Sequence, residues 1–488
     1  MTPLRVLAVA SEFYPIIKTG GLADVAGALP IALRADGIET RTLVPGYPDV
    51  IKALPTAEVL LDWPDFHGGP VRLLGGSHRS LDLLVLDAPH LFARPGNPYL
   101  APDGKDWPDN GVRFAALSRM AADIGQGAIP SFLPDIVHAH DWQAGLAPAY
   151  LHYANGPRPG TVMTVHNMAY QGRFPHDMLD AFGLPPESFT MHGVEYYGTI
   201  SFLKAGLQFA DRITTVSPTY AVEIQSDEAG MGLGGLLRER SQVLSGILNG
   251  IDTSVWNPEA DPYIAARFGA NELDSRAANR AALQRQLGLD PSPNALLLGV
   301  ISRLTWQKGL DLLLDTIATI VGEGMQLALL GTGDRDIEHR YQAAANANQG
   351  RIAVVIGYDE ALAHLIQAGA DALVVPSRFE PCGLTQLCAL RYGAVPIVSG
   401  VGGLADTVND VDEADIADGA ATGFLFSLGT DEALAAALCR ANKSFQDKPG
   451  WRQLQLNGMS TDVSWRDRAS RYAVLYREVV AARRNDMH

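Results

Sequence analysis

Cysteine is nearly absent from this chain. Cys382, Cys388 and Cys439 are the only three in 488 residues, and no two of them form a Cys-x-x-Cys pair. That excludes a disulfide framework and argues against a structural zinc site. Long apolar runs are missing as well. No stretch reaches the length of a membrane span, and the apolar run over residues 4–10 contains Arg5 and lacks the layout of a signal peptide. Positive charge is in deficit: 38 Lys and Arg stand against 54 Asp and Glu, a net charge of −16. This balance disfavours nucleic acid and anionic membrane surfaces as partners, although cations can still gather locally. The chain has no Gly-x-Ser-x-Gly, Walker A or His-Glu-x-x-His motif and no repeat of 20–50 residues, so hydrolases of those classes and solenoids have no support. What remains is a globular, enzyme-sized chain, 47% hydrophobic and 19% charged, too long for one core. The reducing cytoplasm is its expected compartment.

Strand-like and helix-like segments alternate along the chain. In the first half, 4–10, 38–44, 81–86, 135–139, 161–165 and 212–216 read as strands, and 22–34, 112–124, 142–153 and 202–209 as helices. In the second half, strands over 296–302, 326–330, 352–356, 372–375 and 395–398 alternate with helices. This predicts two α/β domains with parallel sheets, the second shorter and more regular. Turn signals at Asn249-Gly250, Asn257-Pro258 and Asp290-Pro291-Ser292-Pro293 place the connection near 246–255, with irregular chain to 293. Residues 89–110, rich in Pro, Gly, Asn and Asp, predict a long surface loop. In the tail, Ser464 and Asp467 resemble a capping box. Ala469, Tyr472, Leu475, Tyr476 and Val479 then form one apolar helix face, which must pack on the first domain or on its own.

Two loops pair a cation with glycine between a strand and a helix. Lys18-Thr19-Gly20-Gly21-Leu22-Ala23-Asp24-Val25 follows the first strand; Arg303-Leu304-Thr305-Trp306-Gln307-Lys308-Gly309-Leu310 follows the first strand of the second half. Glycine admits close approach, the helix start offers free N–H groups and the cation supplies charge, so each suits a phosphate or is simply a turn. Arg303 and Lys308 together can neutralise a diphosphate leaving group. After strand 372–375, the segment Pro376-Ser377-Arg378-Phe379-Glu380-Pro381-Cys382-Gly383-Leu384-Thr385 lies where open α/β sheets bind ligands. Glu380 there can accept sugar hydroxyls or serve as a helix-dipole partner, and Cys382, with no partnered base, reads as a small buried residue. His138-Ala139-His140-Asp141-Trp142 ends another strand; no further ligand set accompanies its histidines, so no metal is expected. Asp141 can cap the next helix, Trp142 can stack on a sugar or sit in the core, His166 can meet a ligand at the sheet edge, and Tyr358 can stack on a nucleobase.

Taken together, these blocks resemble bacterial glycogen synthases and plant starch synthases that use ADP-glucose. The resemblance covers nearly the whole chain and rests on Lys18-Thr19-Gly20-Gly21-Leu22, His138-Ala139-His140-Asp141-Trp142, Thr164-Val165-His166-Asn167, Asn249-Gly250-Ile251-Asp252, Ser302-Arg303 through Lys308-Gly309, Glu380-Pro381-Cys382-Gly383-Leu384 and Gly402-Gly403-Leu404-Ala405-Asp406. It implies a GT-B fold, two Rossmann-like domains facing a deep cleft, with an acceptor domain over 1–245, a nucleotide-sugar domain over 246–463 and a tail helix over 464–488 crossing back to the first. It implies transfer of glucose from ADP-glucose to an α-1,4-glucan such as glycogen, with retention and with no metal or other cofactor. UDP-glucose use, or glucan binding without catalysis, are the alternatives. Carried over by motif, Lys18, Arg303 and Lys308 hold the diphosphate, Gly20 and Gly21 approach the phosphates or the sugar, and His166 contacts the glucosyl group. Glu380 binds sugar hydroxyls; Gly383, Leu384 and Thr385 line the donor site; Asn249 and Tyr358 are on the donor side. Glu12, Asp141 and Trp142 lie toward the acceptor, Asp141 also being the one motif carboxylate that could act as a nucleophile. One departure is visible: many retaining members carry a second Glu eight positions after the first, where this chain has Cys388.

Overall fold

The computed structural model describes residues 3–412, 414–427 and 430–486. It divides into two compact units, unit 1 comprising Met1–Asn249 and Trp465–His488, and unit 2 Gly250–Ser464.

Unit 1 is built on strands β1 (Leu4–Val9), β2 (Ile38–Pro45), β3 (Glu58–Trp63), β4 (Val71–His78), β5 (Leu81–Asp87), β6 (Ile136–His140) and β7 (Gly160–Val165). It continues through β8 (Arg173–Pro175), β9 (Glu195–Tyr196), β10 (Thr199–Ser201), β11 (Arg212–Thr215) and β12 (Leu244–Gly246). Nine of them form one sheet in the order β12-β11-β7-β6-β1-β2-β5-β4-β3, while β8, β10 and β9 make a small antiparallel sheet. The large sheet is parallel from β12 to β5 and antiparallel at β4 and β3. Its central strands β6 and β7 are buried along their whole length, as expected for strands covered on both faces. The order reverses between β1 and β6, which lie side by side with Val9 opposite Ala139.

The C-terminal helix Trp465–Asp486 packs in unit 1. Trp465, Ala469, Tyr472, Leu475, Tyr476 and Val479 share a buried cluster with Val6, Val25, Leu29, Ile136 and Val162. Gly160 makes the approach possible, since a Cβ there would lie 2.4 Å from Val479 Cγ1. The surface loop expected over residues 89–110 is mostly exposed, as its composition suggests. It begins with one helical turn, Pro89–Phe92, and is anchored to the core at a few buried residues, Leu91, Phe92, Pro98 and Asn110. Arg113, fully buried, donates to the carbonyls of Leu91 and Pro98, each at 2.9 Å. The single helix expected over 142–153 is a 3₁₀ turn, Trp142–Ala144, followed by Leu146–Tyr153. The break falls at Gly145, where a Cβ would lie 2.2 Å from the Phe202 carbonyl oxygen.

Unit 2 carries β13 (Leu297–Ile301), β14 (Gln326–Gly331), β15 (Ile352–Ile356), β16 (Ala372–Val375), β17 (Val395–Ser399) and β18 (Phe424–Phe426). They form one parallel sheet in the order β15-β14-β13-β16-β17-β18. This is the doubly wound Rossmann order, and its reversal lies between β13 and β16. Apolar side chains of β13, β14 and β16 fill clusters on both faces of the sheet.

Candidate active site

In an open parallel sheet the loops on either side of the reversal point diverge and leave a crevice at the carboxyl ends of the strands. In unit 1 the loops after β1 and β6 flank it. After β1, Glu12 is 3% exposed. Its carboxylate accepts the Thr19 N–H at 2.5 Å and the Thr19 hydroxyl at 2.9 Å, together with the Tyr99 hydroxyl at 3.0 Å. Burial raises its pKa, against the lowering effect of those hydrogen bonds. Glu12, expected toward the acceptor, thus has its oxygens turned onto the Lys-Thr-Gly-Gly loop. Lys18 extends from that loop, with Nζ 2.9 Å from Asp24 Oδ1 and 5.3 Å from the centre of the Tyr14 ring. Gly20 and Gly21 are exposed, and Gly21 opens the helix Gly21–Ala32. Apart from its two chain neighbours, no described residue comes within 4 Å of a Cβ built on Gly20.

After β6, Asp141 occupies positive φ, 54°, a conformation costing a non-glycine residue about 1–3 kcal/mol. Its side chain makes no helix cap. Oδ1 instead accepts the His166 N–H at 2.7 Å, and the Asn167 N–H also bonds to the carboxylate. Asp141 therefore clamps the turn after β7. Burial pushes its pKa up to about 7 against these bonds, with the charge of Glu12 adding to the rise. His166 Nε2 lies 3.0 Å from His140 Nδ1. Burial lowers the pKa of both rings, His140 to about 3 and His166 well below its usual range. Two neutral imidazoles share one N–H···N bond, which engages Nε2 of His166 and not its Nδ1. His138 bonds instead to the Tyr476 hydroxyl at 2.7 Å and to Thr164 Oγ1 at 2.6 Å, tying the C-terminal helix to the sheet. Among the described residues no group of three or more His, Cys, Asp or Glu is placed to hold a metal ion. Trp142 is buried against Phe114, Phe174 and Phe202, so of the two roles open to it, core packing is the one observed. Asn249, 3% exposed, keeps Oδ1 buried with no hydrogen-bond partner among the described residues.

In unit 2 the loops after β13 and β16 are locked together. Gly309 has φ +65°, and a Cβ on it would lie 1.9 Å from the Pro376 carbonyl oxygen. The Arg378 N–H donates to Gln307 O at 2.9 Å. This brings Lys308 Nζ to 2.5 Å from Glu380 Oε2, which also accepts the Ser377 hydroxyl at 2.9 Å. Glu380 is 7% exposed, and its carbonyl accepts the Gly403 N–H at 3.0 Å, so the loop after β17 joins the same assembly. Gly383, at φ +71°, leads through Leu384 into the helix Thr385–Tyr392. Arg303 is exposed on the first loop. Tyr358, after β15, is 76% exposed, with its hydroxyl bonded to Glu360. Cys382 is buried, and Cys388 lies in a cluster with Ile251, Leu387, Leu390 and Val463.

The hydrogen-bonding roles of Thr19, Tyr99, His140 and Ser377 escape the sequence reading. Thr19, His140 and Ser377 lie inside motifs that are legible. The bonds of Tyr99 and His140 span 87 and 26 positions, and nothing in the local sequence signals them.

The model of the starch synthase catalytic domain matches residues 5–239, and that of glycosyl transferases group 1 matches residues 295–443. The solved catalytic domain of starch synthase IV from Arabidopsis thaliana superposes with a TM-score of 0.87 at 32% identity, over 98% of this chain and 100% of that one. Two Rossmann-type sheets with charged, glycine-bearing loops at their reversal points thus define a glycosyltransferase of the GT-B class. Glycogen synthase 2 of Bradyrhizobium diazoefficiens is 72% identical over 99% of this chain and 100% of its own. The glycogen synthase of Rhodopseudomonas palustris strain BisA53 is 61% identical over 99% of each. The chain belongs to the glycogen synthase family.

Proposed function

We propose that the chain transfers the glucosyl group of ADP-glucose to the non-reducing end of an α-1,4-glucan with retention at the anomeric carbon, releasing ADP. The observation that carries this reading is the Lys308–Glu380 pair at the reversal point of unit 2, 2.5 Å between charged atoms. A cation and a carboxylate there suit a ligand with a phosphate at one end and sugar hydroxyls at the other. The solved starch synthase IV, which was bound to ADP and acarbose, supports the same ligand classes.

In this reading Lys18, Arg303 and Lys308 neutralise the diphosphate, and the N–H groups around Gly383, Leu384 and Thr385 add to it as a helix N-terminus does. Glu380 keeps Oε2 on Lys308 and Ser377 and offers Oε1 to a sugar hydroxyl. His166 meets the glucosyl group, Tyr358 the base and Asn249 the donor side. The bond from the anomeric carbon to the diphosphate oxygen breaks, and the acceptor hydroxyl attacks from the same face. Its proton passes to the departing phosphate oxygen, so no protein base is required. Asp141, raised toward neutrality and committed to the His166 and Asn167 N–H groups, is poorly placed to serve as a nucleophile.

ADP release from ADP-glucose, with and without glycogen and in parallel with UDP-glucose, tests the proposal. Glycogen-dependent release from ADP-glucose is expected. Preferential UDP release replaces the donor, and glycogen binding without any release replaces the enzyme by a binding protein. A glucosyl–protein adduct in the mass spectrum would rule out same-face attack.

A further inference from the structure

Trp306 stands apart from the other tryptophans. Trp142, Trp451 and Trp465 are buried and Trp63, Trp107 and Trp256 partly so, whereas Trp306 is 61% exposed. An exposed indole is common on a mobile loop, but this loop is held at every side. The Arg378 guanidinium lies 4.7 Å from the centre of the Trp306 ring. Arg378 is fixed in turn by a two-pronged ion pair with Asp311, at 2.7 and 2.8 Å, and by a bond to the Trp306 carbonyl at 2.7 Å. The Gly309 N–H closes a turn onto the same carbonyl at 3.0 Å. A cation is braced over one face, yet 61% of the residue remains open to solvent. The ring is therefore presented to solvent in a fixed orientation.

We propose that Trp306 is an aromatic platform for a glucose unit of an α-glucan chain, a contact of unit 2 additional to the Arg303, Lys308 and Glu380 set. A pyranose ring has an apolar C–H face that packs on an indole while its hydroxyls stay at the edge in water, and a rigid aromatic makes such a contact at little entropic cost. A nucleobase is the competing occupant. A donor carries one base, and Tyr358 offers that base an exposed ring. A glucan carries many sugar rings that continue past the transfer point. A contact away from the reacting end raises the effective concentration of chain ends, which benefits a polymer and not a mononucleotide. The inference rests on the reading that this chain acts on an α-glucan.

Binding without turnover tests it. The intrinsic tryptophan fluorescence of the full chain is titrated with maltoheptaose and, separately, with ADP, for the native protein and for Trp306→Ala and Trp306→Tyr. Co-sedimentation with glycogen is measured alongside. A saturable emission change with maltoheptaose is expected, lost in Trp306→Ala. Glycogen affinity should fall about tenfold in that variant and largely recover in Trp306→Tyr. In steady-state assays the KM for glycogen should rise while that for ADP-glucose stays within about twofold. An emission change and affinity loss that follow ADP instead make Trp306 a base platform and overturn the proposal, as does unaltered glycogen binding in Trp306→Ala. Failure of the ADP-glucose reading would abolish turnover in the native protein and leave the binding titration readable.

Discussion

Glu12 grips Thr19 twice, accepting its N–H at 2.5 Å and its hydroxyl at 2.9 Å. One buried carboxylate thereby fastens the loop bearing Lys18, Gly20 and Gly21 to the end of β1. Through Tyr99 it fastens the segment after residue 89 as well. Hydrogen bonds to a charged acceptor are worth about 1.5–3 kcal/mol each, enough to hold a glycine-rich loop in one conformation.

Removing that grip should impair donor use without touching the donor. Glu12→Ala is expected to lower kcat/KM for ADP-glucose at least tenfold, about 1.4 kcal/mol or more of transition-state stabilisation. Thr19→Ser, which keeps both donors, should stay near the native value. Steady-state kinetics beside thermal melts decide; an equal loss in both variants would mean that the hydrogen bonds are not what matters.

His140 should behave as a positioning residue for His166. His140→Phe leaves His166 Nε2 without its 3.0 Å partner and frees the ring to turn. We expect kcat to fall about 10- to 100-fold with KM for ADP-glucose little changed, and His140→Gln to recover part of the loss by restoring a hydrogen bond. Because burial keeps both rings neutral, the pH profile of kcat should show no step from this pair near the usual histidine range, about pH 6.5.

Gly309→Ala places a methyl group against the Pro376 carbonyl, in a left-handed turn that disfavours any side chain. The loops after β13 and β16 must separate, drawing Lys308 from Glu380. A stability loss of about 1–3 kcal/mol is expected, with a larger proportional loss of activity than the melting temperature alone accounts for. Full activity in a folded Gly309→Ala protein would show that the register of these loops is unimportant.

Stability should depend on pH through His364. The ring is buried in unit 2, stacked on Trp256 with centroids 4.0 Å apart, and Nδ1 is 2.7 Å from Asp261 Oδ2. Burial alone lowers its pKa, but the hydrogen bonds and charges of Asp261 and Glu360 outweigh that and raise it. A raised folded pKa contributes stability that is complete below the unfolded value, about 6.5, and is lost as pH rises through the folded one. His364→Gln should therefore cost more at pH 6 than at pH 9, read as the difference in melting temperature from the native protein. A difference independent of pH would mean that the ring acts only through packing.

The short, uniformly apolar strands were the most legible elements. Residues 352–356 and 372–375 coincide with β15 and β16, because a strand covered on both faces is a bounded apolar run. The β3–β4 hairpin was missed: Gly75 and Gly76 interrupt β4, and β3 lies at the sheet edge, half exposed, without a clean alternation. The exposed course of the 89–110 segment is legible from its Pro, Gly and Asn content. Composition reports that a chain is irregular; it does not report that Tyr99 is turned inward to Glu12.

The candidate site divides in the same way. Cations, glycines and Glu380 were legible because phosphate and sugar chemistry calls for those residue types beside strand ends, and that pattern is local. The partners were not. Whether Asp141 caps its own helix or clamps the turn at His166 depends on β6 lying beside β7, and whether Lys308 meets Glu380 depends on β13 lying beside β16. Strand adjacency is set by hydrophobic burial and chain crossover across the whole sheet, so residues 25 or 72 positions apart become hydrogen-bond partners only once the sheet has formed.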